Sequence, residues 1–243
     1  MANKIEIGTS GWNYKHWIGN FYPENIKQNN FLKYYSENFC TVEINNTFYK
    51  LPEEKNIENW INTTPDDFIF AVKASRYITH INRLKNPQES TALFLSRMKI
   101  FKDKLGPILF QFPPNFLFDQ EKLKNFISCL PDNYKYAFEF RNFSWFNDST
   151  YGLLKDNNIA FCIYYMGSTQ SPEEITSDFV YIRFHGSNTL GSGGYSAEII
   201  HEFSQKISSY QKQGKDVFCY FNNDEAGYAI KNAFKLREFL NLI

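Results

Sequence analysis

FVYIRFHG (179–186) and YAFEFR (136–141) decide how this chain reads. Side chains of a strand alternate between its two faces. In the first segment Tyr181, Arg183 and His185 then share one face, opposite Val180, Ile182 and Phe184. In the second, Ala137, Glu139 and Arg141 oppose Phe138 and Phe140. Six further apolar runs have the same character: KIEIGTSG (4–11), TVEIN (41–45), FIFAVKA (68–74), PILFQF (107–112), IAFCIY (159–164) and VFCYFNN (217–223). Between the eight runs lie segments long enough for a helix or a structured loop. Eight strand–connection units are the count of a TIM-type (β/α)8 barrel, whose reacting groups sit at the C-terminal strand ends.

The expected fold is therefore a single-domain α/β barrel over residues 1–243, close to the length of about 250 common for this architecture. Strands alternating with helices imply a parallel sheet and right-handed crossovers. Helical periodicity appears in 31–39, 92–105, 119–130, 196–210 and 226–240, with Asp119 and Ser196 placed as N-caps. The connection 165–178, rich in Ser, Thr and Pro, predicts an irregular segment. An open doubly wound sheet is the alternative, but GTSGW (8–12) is not the G-x-G-x-x-G nucleotide fingerprint.

Composition narrows the function classes. Lys+Arg 26 against Asp+Glu 26 leaves no global basic field for nucleic-acid phosphates, although a local basic cleft survives such averaging. The four cysteines, Cys40, Cys129, Cys162 and Cys219, are scattered without a C-x-x-C pair, which fits a reducing cytoplasmic setting. No signal-peptide pattern is visible at the N-terminus, and no apolar run reaches the ~18 residues of a membrane span.

The strand phases gather polar side chains at one rim. Glu43 and Asn45, Lys73, Gln111, Glu139 and Arg141, Arg183 and His185, and Asn222 all fall in phase near the ends of their runs. Lys73, Arg141 and Arg183 are positive, Glu43 and Glu139 negative, and His185 gains charge when protonated. A slightly positive mouth on a neutral protein favours a ligand bearing phosphate or carboxylate. The alternative is a core ion-pair network in which the glutamates simply neutralise the cations.

GTSGWNYKHWIGNFYP (8–23), TVEINNTFYKLP (41–52), FAVKASRYITH (70–80), LFQFPP (109–114), AFEFRNFSWF (137–146), RFHG (183–186) and YFNNDEAGYAIKNA (220–233) resemble the YecE-like family, known as domain of unknown function 72. The resemblance covers essentially the whole chain in order. It implies a (β/α)8 barrel, and it brings no reaction. Glu43, Asn45, Lys73, His80, Gln111, Glu139, Arg141, His185 and Asn222 are carried over as candidate site residues without assigned roles.

Three more features bear on ligands. The glycine-rich loop GSNTLGSGGYS (186–196), beginning at Gly186, could present backbone N–H groups to an anion or act as a plain linker. Trp12, Trp17 and Trp145 follow the first and fifth runs, where they either meet a ring or cover the core. Pro113–Pro114 ends the fourth run sharply, and a cis bond is one way to make that turn.

The leading expectation is an enzyme of hydrolase, lyase or isomerase type acting on a small anionic substrate. Glu43, Glu139 and His185 would do acid–base work, and Lys73 would hold the anion or form a Schiff base. Arg141 and Arg183 would bind the anion, with Asn45, His80, Gln111, Asn222, Gly186 and Trp12 lining it. No organic-cofactor motif is present; a divalent metal on Glu43, Glu139 and His185 is compatible with the residue types and would suit a phosphoesterase or nuclease. The two carboxylates also suit glycoside hydrolysis, but Gln111, Arg183 and His185 stand where large retaining barrels carry glutamates. A non-catalytic metabolite-binding or adaptor barrel would use the same pocket. Oligomeric state is left open.

Overall fold

The structure is a computed structural model that describes residues 3–188 and 193–242. Among the described residues, ten strands and seven α-helices follow in chain order. The strands are β1 (Ile5–Thr9), β2 (Thr41–Ile44), β3 (Ile69–Lys73), β4 (Leu105–Phe112), β5 (Tyr136–Phe140), β6 (Ala160–Phe161), β7 (Ile163–Met166), β8 (Thr169–Gln170), β9 (Phe179–Gly186) and β10 (Asp216–Phe221). The helices are α1 (Phe31–Ser36), α2 (Glu54–Thr63), α3 (Pro87–Met98), α4 (Gln120–Ile127), α5 (Asp148–Asp156), α6 (Ala197–Lys212) and α7 (Tyr228–Phe239).

Hydrogen bonding draws two five-stranded sheets, in the orders β1-β10-β9-β7-β8 and β2-β3-β4-β5-β6. All pairings are parallel except the short β7–β8 hairpin. The protein is thus a mixed α/β fold with parallel sheets. The expected uninterrupted ring of eight strands is not what the ladder bonds draw among the described residues. The sixth run is divided: β6 pairs with β5, β7 pairs with β9, and Cys162 between them donates its N–H to Phe138 O at 2.8 Å. The chain crosses there from one sheet to the other. As expected, the connection after this run carries no helix.

Strand alternation separates two cores. Ala71, Leu109, Ala137, Ala160, Cys162, Phe179, Tyr181, Phe218 and Tyr220, drawn from both sheets, pack together on the inner face. The opposite phase, including Val72, Phe110, Phe138, Ile182 and Phe184, packs with helical residues such as Phe94, Phe126, Ile200 and Leu236. Each buried Phe or Ile on these faces contributes about 1.5–3 kcal/mol relative to exposure, and this holds the helices against the sheets. Trp17 and Trp145 are buried in the helix-side core, as covering residues.

Local chemistry sets the helix starts. Asp119 accepts the Lys122 N–H at 3.0 Å to open α4, and Ser196 accepts the Ile199 N–H at 3.4 Å to open α6. Helices α2 and α5 were not legible in the periodicity. EKNIENWINT has few apolar residues, and DSTYGLLKD holds a β-branched Thr150 and Gly152. Asn147 caps α5 by accepting the Thr150 N–H at 2.9 Å. Every peptide bond among the described residues is trans, Pro113–Pro114 included. Within the glycine-rich loop, residues 189–192 lie outside the described residues.

The two sheets also meet between β1 and β2, where Ser10 and Glu43 form an isolated parallel bridge. The approach is close: a Cβ on Gly8 would stand 2.3 Å from the Thr41 carbonyl oxygen. Backbone cannot yield there as a flexible side chain could. Gly8→Ala should therefore destabilise by about 1–3 kcal/mol, read as a lower midpoint in urea unfolding. A change within about 0.5 kcal/mol, the range of an ordinary surface substitution, would show that the two strands are not in contact.

Candidate functional site

The charged residues of β2, β5 and β9 meet on the inner face, one layer above the apolar inner core. Arg183 on β9 is 1% exposed, and Glu43 on β2 and Glu139 on β5 are both 0% exposed. Its guanidinium bridges the two carboxylates: one terminal nitrogen donates to Glu43 Oε1 at 2.9 Å, the other to Glu139 Oε2 at 2.7 Å. Arg183 belongs to one sheet and both glutamates to the other.

Each carboxylate oxygen accepts at least one hydrogen bond. Ser10 Oγ donates to Glu43 Oε1 at 2.6 Å, and Tyr181 Oη to Glu43 Oε2 at 2.7 Å. Gln111 Nε2 donates to Glu139 Oε1 at 2.7 Å, and Arg141 forms a very short pair with the same oxygen. Burial alone would push the Glu139 carboxyl up, but Arg141, Arg183 and the other positive groups outweigh it and hold it well below its ordinary value. Glu139 is therefore a fixed negative charge at neutral pH.

A second tier lies toward the rim. Arg141 is 13% exposed, its guanidinium carbon lies 4.5 Å from the centroid of the Tyr164 ring, and it donates to His185 Nε2 at 2.7 Å. Arg183 points a further N–H at the same nitrogen at 3.4 Å. Asn222 Nδ2 stands 3.1 Å from Nδ1, so N–H donors face both ring nitrogens. Burial, followed by Arg183, keeps the imidazole well below its ordinary pKa, so His185 is neutral. Asn45 reaches Asn222 at 3.4 Å, while its own Oδ1 is buried without a partner.

Lys73, at the end of β3, donates to Gln111 Oε1 at 2.9 Å and sits 4.1 Å from the centroid of the Phe48 ring. Burial first, then Arg183, pushes its amine from 10.5 down to about 8. His80 lies in a π-helical turn, Tyr77–Ile81, a local geometry frequent at functional sites. It packs nearly perpendicular to the same Phe48 ring, with centroids 4.9 Å apart. Burial and then Lys73 push His80 down to about 4, so it too is neutral.

The structure thus brings together Glu43, Asn45, Lys73, Gln111, Glu139, Arg141, Arg183, His185 and Asn222, with His80 beside Lys73 at Phe48. Two candidates fall elsewhere. Trp12 stands edge-on to Trp60 at 5.5 Å, in an amide-lined cleft of about 430 Å³ between α1 and α2 that shares only Asn45 with the charged cluster. Gly186 donates its N–H to Tyr195 Oη at 3.0 Å and accepts from Gly167 at 2.8 Å, so its backbone is already engaged. Ser10, Phe48 and Tyr164 join the site without having been singled out. Tyr164 was readable as the third residue of the Ala160, Cys162, Tyr164 phase, whereas Phe48, in a loop, had no periodic signal.

The metal expectation meets a geometric obstacle, because both glutamates are committed to Arg183. Among the described residues no group of three or more His, Cys, Asp and Glu side chains is arranged to hold a metal ion. No described helix is long and apolar enough to cross a membrane.

The family profile described as "Protein of unknown function DUF72" matches residues 6–242. This chain belongs to the DUF72 family. It is similar to the UPF0759 protein YunF of Bacillus subtilis, 28% identical over 271 residues, covering 98% of this chain and 95% of that protein. It also resembles the UPF0759 protein YecE of Escherichia coli K12, 29% identical over 143 residues, across 58% of this chain and half of that one. A DUF72 protein of Thermotoga maritima superposes with a TM-score of 0.89 at 30% identity, covering 98% of this chain and 99% of that one. A DUF72 protein of Enterococcus faecalis, 21% identical, shares the fold with a TM-score of 0.78, covering 98% of this chain and 96% of that one. The resemblance read from the motifs is therefore the family of the chain.

The buried bridge of this DUF72 protein makes a prediction. Arg183→Met leaves two carboxylates buried without their shared partner and should cost about 3–5 kcal/mol at neutral pH. Glu139 is depressed in the folded state, so its stabilisation is present above the unfolded carboxyl pKa and lost as pH falls through the folded value. The cost of Arg183→Met should therefore shrink in acid. Chemical denaturation at neutral and acid pH checks this, and a pH-independent cost would contradict the ionised bridge.

Proposed function

We propose that this protein is an enzyme acting on a small substrate that carries phosphate or carboxylate, bound at the strand ends of a single (β/α)8 domain. Closure of the two sheets is supported by the Ser10–Glu43 bridge on one side and the passage through Cys162 on the other. The observation that carries the reading is the charge balance of the cluster. Glu43 and Glu139 balance Arg183 and Arg141, while Lys73 has no carboxylate within ion-pair distance among the described residues. One positive charge is left at the rim, partly exposed, and an anion supplies its missing partner.

The roles differ from those expected of the residue types alone. Glu43 and Glu139 serve as counter-charges that fix Arg183 and Arg141, since both are fully buried and each of their oxygens already accepts a hydrogen bond. Proton transfer falls first to Lys73, whose amine is able to change state near neutrality, while His80 and His185, both held neutral, are weak bases there. Arg141 and Lys73 hold the anion, and Asn45, Gln111 and Asn222 orient it. A second reading, a metabolite-binding barrel without turnover, is favoured by the complete pairing of the two glutamates.

Inorganic phosphate and acetate should raise the melting temperature. A ligand at about a hundred times its dissociation constant adds about 2.7 kcal/mol. Lys73→Ala and Arg141→Ala should each remove most of the shift. The binding form of Lys73 is the ammonium, so anion affinity should fall as pH rises through about 8. An unchanged shift in both variants would refute this site. Conversion of an anionic metabolite would separate the enzyme from the binding barrel.

A further inference from the structure

Lys73 is placed differently from the other cations of the site. Arg183 and Arg141 each face a carboxylate, and Lys104, another buried amine, is held by the Ile61 and Thr64 carbonyls at 2.7 and 2.9 Å. Among the described residues the Lys73 amine makes one hydrogen bond, to Gln111 Oε1, and otherwise rests on the face of Phe48. His80 packs nearly perpendicular to the same ring. His80 Nδ1 lies 2.8 Å from Thr79 Oγ1, which leaves Nε2 available. His80 also lines an open cavity of about 530 Å³ with Arg83, Pro113, Pro114 and Asn115, so this side of the site is reachable from solvent.

An amine in such surroundings has two uses. Protonated, it holds an anion; unprotonated, it is a nucleophile toward carbonyl carbon. We propose that Lys73 forms an imine with a small carbonyl compound bearing a carboxylate, a 2-oxo acid, whose carboxylate faces Arg141. This rests on the anion-binding reading above and names its substrate class. Nζ attacks the carbonyl carbon, the C–N bond forms and the π pair moves to oxygen. The C–O bond then breaks, and both amine hydrogens leave on the departing water. His80 Nε2 relays them, taking a proton from nitrogen and returning it to oxygen. No oxidant or reductant is consumed.

Free amine is the reactive form, and the groups around Lys73 control its amount. Burial is the largest cause, Arg183 and Arg141 act in the same direction, and Glu139 and Glu43 oppose them. A fall from 10.5 to about 8 raises the free-amine fraction near neutrality by about two orders of magnitude. His80, neutral for the reason given above, keeps its Nε2 lone pair on a weakly basic ring throughout that range, so it relays the proton without retaining it.

The test is reductive trapping on the full chain. The protein is incubated with glyoxylate or pyruvate at neutral pH in cyanoborohydride, and adducts are located by intact mass and peptide mapping. Exposed lysines such as Lys55, whose side chain is 78% exposed, supply the unactivated reference. Lys73, although half-buried, should be modified at least about tenfold faster than that reference, because its free-amine fraction is larger. Lys73→Arg and Lys73→Met should each remove the fast adduct and leave the slow labelling unchanged. His80→Ala should slow trapping at Lys73 by about tenfold or more while the phosphate-induced rise in melting temperature stays. Labelling of Lys73 no faster than Lys55 overturns the imine. If the phosphate shift persists in that case, the anion site stands and only the carbonyl chemistry fails. If both are absent, both readings fall. Undiminished trapping in His80→Ala removes the relay.

Discussion

One guanidinium ties the two sheets together. Arg183 comes from the sheet that holds β1 and β10, while Glu43 and Glu139 come from the other, and all three are essentially fully buried. A buried ion pair of this kind does not simply add stability, because desolvating three charges offsets much of their attraction. Its consequence is geometric. Once Ser10, Tyr181 and Gln111 have satisfied the remaining carboxylate oxygens, the three charges have one low-energy arrangement. The inner ends of β2, β5 and β9 are thereby held in fixed relation.

Everything nearer the rim is set by that lower tier. Arg141 is oriented by Glu139, His185 Nε2 accepts from Arg141 and Arg183, and Asn222 lies against His185 Nδ1. Gln111 is the connection between tiers: its amide nitrogen serves Glu139 and its amide oxygen serves Lys73. With both carboxylates paired within the core, Lys73 has no carboxylate partner among the described residues. The same pairing that makes the glutamates poor proton carriers gives the site its sign. Similarity to the Thermotoga maritima protein over nearly the entire chain places this arrangement within a shared fold.

Much of this was legible because a strand has a strict period of two. Tyr181, Arg183 and His185, or Glu139 and Arg141, must share a face once the segments are strands, and the two observed cores divide on that phase. Helices α4 and α6 were legible through their caps and apolar faces. Helices α2 and α5 were not, since their apolar residues are few and tertiary packing supplies what propensity lacks. The division of IAFCIY between two sheets had no signal in its residues, because both halves look like one buried strand. Trp12 was misplaced for a similar reason: a tryptophan after a strand can turn inward to the site or outward between helices, and its neighbours in sequence do not decide.

The order of residues by itself determined the family, the α/β alternation and the set of polar side chains gathered on one face, because periodicity and motif spacing are local properties of the chain. Which charges are paired and which are left over was decided only by the tertiary structure. Pairing depends on separations of a few ångströms between residues distant in the chain, 140 positions apart for Glu43 and Arg183. Coulomb energy and desolvation both change steeply over such distances. That is why the same list of residues could describe a pair of catalytic glutamates or a closed ionic core, and why the folded chain turns attention from the carboxylates to Lys73.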